Sequence, residues 1–159
     1  MSAVETATPS ASWLRLVLAA ERLFARHGID GVSLRQIAAE AGSANNSAVH
    51  YHFGSKAGLI AAIFGHRLPQ LISARPLLAA RCDPDDLRSR LEAHVLPLLR
   101  LAEDPDSHYV SFVDQLQRHA LGTQEGMPDL PPDGQRANDE FREDLDRLHG
   151  ADVLGLAQE

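Results

Sequence analysis

Between Asn45 and Lys56 the sequence gathers side chains that hydrogen-bond and carry no negative charge: Asn45, Asn46, Ser47, His50, Tyr51, His52 and Lys56. An asparagine amide can pair at two points with the edge of an adenine. A serine hydroxyl donates or accepts, and tyrosine, histidine and lysine can reach phosphate oxygens. Lys56 is the only lysine in the chain, and Arg35 upstream adds a candidate contact to a phosphate backbone. The chemistry these types suit is recognition of double-stranded DNA.

Other chemistries find less support. His50 and His52 stand two residues apart, so on a helix they face different ways and do not converge on one ion. Asp83-Pro84-Asp85-Asp86 has the form of a helix start, with Asp83 as cap and Pro84 at the first position. No further ligands stand at metal-binding spacing. Ser, His and Asp occur in no nucleophile elbow and beside no glycine-rich phosphate loop. No catalytic residue, metal or cofactor is therefore assigned, and an enzyme is the weakest reading.

The polar cluster needs a scaffold that presents it on one face, and the spacing predicts one. A first helix is expected from Ser12, its N-cap, to His27, with Leu16, Ala20, Leu23, Phe24 and His27 along one face. Gly28 stops it and Asp30-Gly31 punctuates a turn. A second helix starts at Ser33, where Ser33 and Gln36 form a capping box. Leu34, Ile37, Ala38 and Ala41 line its inner face, and Gly42 ends it by taking a positive φ. Asn45 caps a short third helix over about Asn46 to His52, with Ala48, Val49 and Phe53 turned inward, and Gly54 breaks it. Ser33 to Phe53 thus has the mechanics of a helix-turn-helix, whose second helix enters the major groove.

Further along, Ser55 caps a fourth helix carrying Leu59, Ile60, Ile63 and Phe64, expected to stop near Pro69. Leu71 to Ala80 reads as a separate short helix. The helix begun by Asp83 uses Leu87, Leu91, His94, Val95 and Leu98, with a kink or break at Pro97. Another starts at Asp106 and places Tyr109, Phe112, Val113 and Leu116 on its apolar face. Leu121 to Asp133 reads as a loop, and a last helix runs from about Gly134 to His149 through Ala137, Phe141, Leu145 and Leu148. Residues 1–11 read as a disordered lead-in and 151–159 as a frayed tail. With no strand alternation and no internal repeat, the fold class is all-α. A helix-turn-helix domain is expected over 12–54 and a helical body over 55–159. Leu98, Tyr109, Phe112, Val113 and Leu116 are the candidate lining of a small-molecule pocket; the plain alternative for such an apolar stripe is core.

Composition bounds these readings. The 159 residues are 44% hydrophobic but only 5% aromatic, so Leu and Ala must fill most of the core. No apolar run approaches the ~18 residues of a membrane span, and the N-terminus lacks the features of a signal peptide. The single cysteine, Cys82, allows no internal disulfide. A bacterial cytoplasm, with association to the nucleoid, is the expected location. Net charge is −7, which argues against nucleic acid until its distribution is considered. Ser12 to Leu68 holds six basic residues and three acidic ones, whereas the chain from Pro69 holds nine arginines against eighteen acids. A basic head on an acidic body orients one face toward phosphates.

The head resembles the DNA-binding head of the TetR family of bacterial repressors. The resemblance is carried by Leu23-Phe24-Ala25-Arg26-His27-Gly28, by Ser33-Leu34-Arg35-Gln36-Ile37-Ala38-Ala39-Glu40-Ala41-Gly42, and by Tyr51-His52-Phe53-Gly54-Ser55-Lys56 with Leu59 after it. It spans about Ser12 to Leu68. Between Gly42 and Phe53 this chain is one residue longer than the usual family pattern. Counting back from Phe53, a core anchor, Asn46, Ala48 and His50 take the positions that usually face DNA; counting forward from Gly42 shifts them by one. The resemblance implies a homodimer on a near-palindromic operator and an effector pocket of unknown ligand in the body. It also implies that the body over 55–159 is a helical ligand-binding and dimerisation domain, here shorter than usual and short enough to be incomplete. The alternative is therefore a truncated protein-interaction module that forms mixed dimers with a full-length relative.

Overall fold

The computed structural model describes residues 10–43, 47–80, 86–122 and 130–156, and among these it forms seven helices and no strand. The disordered lead-in expected over residues 1–11 falls mostly outside the described residues. Ser10 and Ala11 do not: the first helix, α1, is Ala11–His27, and Ser10 is its N-cap. Ser10 has extended backbone angles and its Oγ accepts the Trp13 N–H at 3.2 Å, so Ser12 lies inside the first turn and is not the cap. Gly28 closes the helix with φ 74° and returns its N–H to the Phe24 carbonyl.

Helix α2, Leu34–Glu40, begins with the capping box: Ser33 Oγ accepts the Gln36 N–H and Gln36 Oε1 accepts the Ser33 N–H at 2.8 Å. Gly42 turns the chain with φ 67°. Helix α3 is Ser47–Phe53. The expected cap Asn45 and its neighbour Asn46 lie outside the described residues, as do the side chains of Ser47 and Ala48.

Helix α4, Lys56–Ala79, corrects the sequence reading most. Ser55 caps it through the Gly58 N–H at 3.1 Å, but Pro69 does not stop it, and the separate short helix expected over Leu71–Ala80 is its continuation. A proline costs a helix one hydrogen bond, to the carbonyl four residues earlier. Pro69 and Gly65 both lie on the exposed side, so water can take that carbonyl, while Ile63, Phe64, Arg67 and Leu71 hold the opposite side in the core. Helix α5, Leu87–Glu103, starts from Asp86 and not from Asp83: both Asp86 carboxylate oxygens accept N–H groups, from Arg88 at 3.1 Å and Ser89 at 3.3 Å. It runs through the buried Pro97 without a break. Helix α6 is Tyr109–Gly122, starting later than Asp106. Helix α7, Pro132–Leu156, has Pro132 at its first position. It continues past His149 through most of the stretch expected to fray.

Helices α1 and α6 pack on each other, and α4 packs on α1, α5 and α7. The rings of Phe24 and Phe112 lie 6.2 Å apart, those of Phe64 and Phe112 5.8 Å. One buried cluster therefore runs from Ile37 and Val49 of the head through Phe24 to Phe112 and Leu116 of the body. Each such fully buried aromatic or aliphatic side chain contributes about 1.5–3 kcal/mol. Glu21 and Arg67 are buried in the same region and pair with each other. Among the described residues no helix is long and apolar enough to cross a membrane.

Candidate nucleic-acid interface

Helix α3 is anchored from below. Val49 is fully buried, and the ring of Phe53 packs 6.0 Å from that of Trp13 on α1. This leaves His50, Tyr51 and His52 on the outside, with Tyr51 86% exposed. A tyrosine so far out of the core has no packing task, and its hydroxyl is free to meet a partner outside the chain. Its ring is steadied edge-on by His52 at 5.2 Å. His50 Nδ1 lies 3.2 Å from the Gly54 carbonyl and donates to it, which ties down the C-terminal end of the helix.

Lys56 sits at the first position of α4, and its Nζ donates to the Ile29 carbonyl at 2.9 Å. The lysine thus bridges the turn after α1 to the start of α4. The ammonium has three donors, so two remain for other acceptors. Arg35, on the first turn of α2, is exposed, as are Arg15 and Arg26 on α1.

The three acids of the head are all occupied. Glu40 pairs with Arg22 at 2.6 Å, Asp30 meets His119 Nδ1 at 3.0 Å, and Glu21 is held by Arg67. Pairing leaves the head's net charge as its residues set it, with Arg15, Arg26, Arg35 and Lys56 outside these acid pairs. Position alone gave a local signal for the reading helix, but not for the Lys56 contact with Ile29 or the acid pairings, which join residues distant in the chain.

The body holds a cavity of about 360 Å³ between α4, α5, α6 and α7. Its walls include Leu68 and Leu71 of α4, Leu98 of α5, Tyr109 and Val113 of α6 and Phe141 of α7. Of the five candidate pocket residues, Leu98, Tyr109 and Val113 line it. Phe112 and Leu116 do not: the apolar side of α6 splits, and these two turn toward α1 and the main core, fully buried. Arg75 and His94, both missed as cavity residues, form its polar end. Burial and the nearby Arg75 charge hold the His94 imidazole below its ordinary range, with Asp144 opposing them. Burial pushes the Tyr109 phenol up, and the Glu21 charge adds to it.

A model of bacterial regulatory proteins of the tetR family matches residues 16–63, which takes in α1, α2, α3 and the start of α4. Over these residues the head is similar to the tetR family. Its helix-turn-helix is α2 and α3, with α3 in the reading position. The chain is similar to the HTH-type transcriptional repressor SCO4008 of Streptomyces coelicolor, with 34% identity over 84 residues. That alignment covers 53% of this chain and 41% of the relative, so it spans about two-fifths of the relative's length. The fold is that of a TetR-family transcription regulator from Marinobacter aquaeolei, with a TM-score of 0.59 and 21% identity over 91% of this chain and 70% of that one. It is also that of the TetR-family regulator PfmR from Thermus thermophilus, with a TM-score of 0.57 and 22% identity over 87% and 68% of the two chains.

Proposed function

We propose that this chain is a ligand-responsive transcriptional repressor that binds a near-palindromic operator as a homodimer. The observation that carries the DNA-binding part is the outer side of α3: exposed His50, Tyr51 and His52 stand on a head whose acids are all partnered. In this reading Asn45, Asn46, Ser47 and His50 approach base edges, while Arg35, Tyr51, His52 and Lys56 meet phosphates. Two such heads placed about 34 Å apart would enter successive major grooves. The name of the Streptomyces relative supports repression in preference to activation.

The response to a ligand is assigned to the body cavity. Tyr109 lines it and also packs against Phe112, whose ring meets Phe24 of α1. A molecule that binds better to one arrangement of these helices than to another shifts the head spacing and releases DNA; equal affinity for both would shift nothing. Selection from random DNA, followed by footprinting, tests the reading. The expected result is two protected half-sites about one helical turn apart. A single unpaired footprint would remove the dimer, and no enrichment would remove DNA binding.

A further inference from the structure

We infer that the body cavity takes an uncharged, mostly apolar molecule with one hydrogen-bond acceptor at the end that meets Arg75. This rests on the reading of the cavity as the effector site.

The argument starts from the charges at the polar end. Among the described residues of the lining, Arg75 is the one that is formally charged. Its Nη2 donates to Glu140 Oε2 at 2.9 Å and to His94 Nδ1 at 2.7 Å. His94 therefore presents Nδ1 as an acceptor and carries its proton on Nε2, which lies 3.2 Å from Asp144 Oδ2. Asp144 is buried and is met in turn by Arg90 at 2.5 Å and Arg147 at 3.3 Å. The row Glu140, Arg75, His94, Asp144, Arg90 is closed, with each charge facing an opposite one.

Such a row has no free counter-charge to offer. An anionic ligand would bring a further negative charge beside Glu140 and Asp144, and the Arg75 charge it would meet is already matched by Glu140. A cationic ligand would face Arg75 itself. Either ion would lose more hydration among apolar walls than this already paired row can return. A neutral acceptor meets neither obstacle. The hydrogen bonds of Arg75 to described residues all use Nη2, so its Nε and Nη1 donors can turn to a carbonyl, ether or hydroxyl oxygen without breaking the pair with Glu140. Size bounds the molecule as well: 360 Å³ corresponds to roughly twelve groups of about 30 Å³ each.

Isothermal titration of the full chain at near-neutral pH, with three probes of matched length below their micellar concentrations, tests this. Methyl octanoate is neutral with an ester acceptor, octanoate is anionic, and octyltrimethylammonium is cationic. The ester is expected to bind about tenfold or more tighter than either ion. Arg75→Leu should weaken the ester toward the level of the ions, and Leu98→Trp, which fills the cavity from its half-open edge, should abolish binding while circular dichroism stays unchanged. Octanoate or the ammonium binding as tightly as the ester, with sensitivity to Leu98→Trp, would overturn the charge assignment and leave the cavity as a site. No binding of any probe, or binding indifferent to Leu98→Trp, would overturn the effector reading and this inference together.

Discussion

Glu21 of α1 and Arg67 of α4 form a buried two-point ion pair, with Nε to Oε2 at 2.7 Å and Nη2 to Oε1 at 2.8 Å. The backbone just before α6 joins them: the His108 N–H donates to Glu21 Oε1 at 2.8 Å. One carboxylate therefore fastens a helix of the head to two helices of the body.

Removing one partner leaves the other charge buried and unmatched. Arg67→Met is expected to lower stability by about 3–5 kcal/mol. The double variant Glu21→Leu with Arg67→Met should recover at least half of that loss, because a packed apolar pair often replaces a buried ion pair at little cost. Urea unfolding checks both. A single-variant loss below about 1 kcal/mol would place the pair among weak surface bridges.

Lys56→Ala should weaken binding to all DNA sequences alike and reduce the slope of log K against log salt by about 1. Lys56→Arg should restore the slope. If the slope is unchanged by the alanine, the ammonium serves only the Ile29 carbonyl.

Asn46→Ala should instead relax the preference at one base pair, with a discrimination loss on the order of 1–3 kcal/mol. Repeating the selection from random DNA with the variant reads this directly. An identical preferred sequence would favour the register counted forward from Gly42.

Acid should destabilise the body. His94 and His66 are both held below their ordinary value of 6.5, chiefly by burial and then by Arg75 and Arg67 respectively. As pH falls through 6.5 the unfolded chain takes up protons before the folded one does, so stability is full above this range and declines below it, down to the lowered folded values. The urea midpoint should drop between about pH 7.5 and pH 5.8, and His94→Gln should reduce the drop. An equal drop in His94→Gln and His66→Gln would assign it to other groups.

Local signals were legible where they act over one turn. Ser33 with Gln36, and the glycines at 28, 42 and 54 with their positive φ, mark the head's boundaries by chemistry that needs no distant partner. The prolines misled, because Pro69 and Pro97 sit in helices whose tertiary packing outweighs one lost hydrogen bond. The caps at Ser10 and Asp86 were each displaced, since neighbouring serines and aspartates compete and only backbone geometry chooses. The Glu21–Arg67 pair left a trace that periodicity contains. Val17, Ala20, Glu21 and Phe24 stand at i, i+3, i+4 and i+7, as do Ile60, Ile63, Phe64 and Arg67, so each helix carries one charge inside its buried stripe, of opposite sign. The division of α6 between core and cavity left none, because Tyr109, Phe112, Val113 and Leu116 all suit either surrounding.

Lys56 is the one lysine of the sequence, and it stands where α4 begins, beside the exposed residues of α3. Among the side chains of these 159 residues, amine-directed reagents therefore find a single target, at the edge of the surface assigned to DNA. Once the α-amino group is blocked, a fluorophore or cross-linker attached there reports from one known point without any engineered handle, and protection of that amine by operator DNA would measure occupancy of the head by covalent chemistry alone.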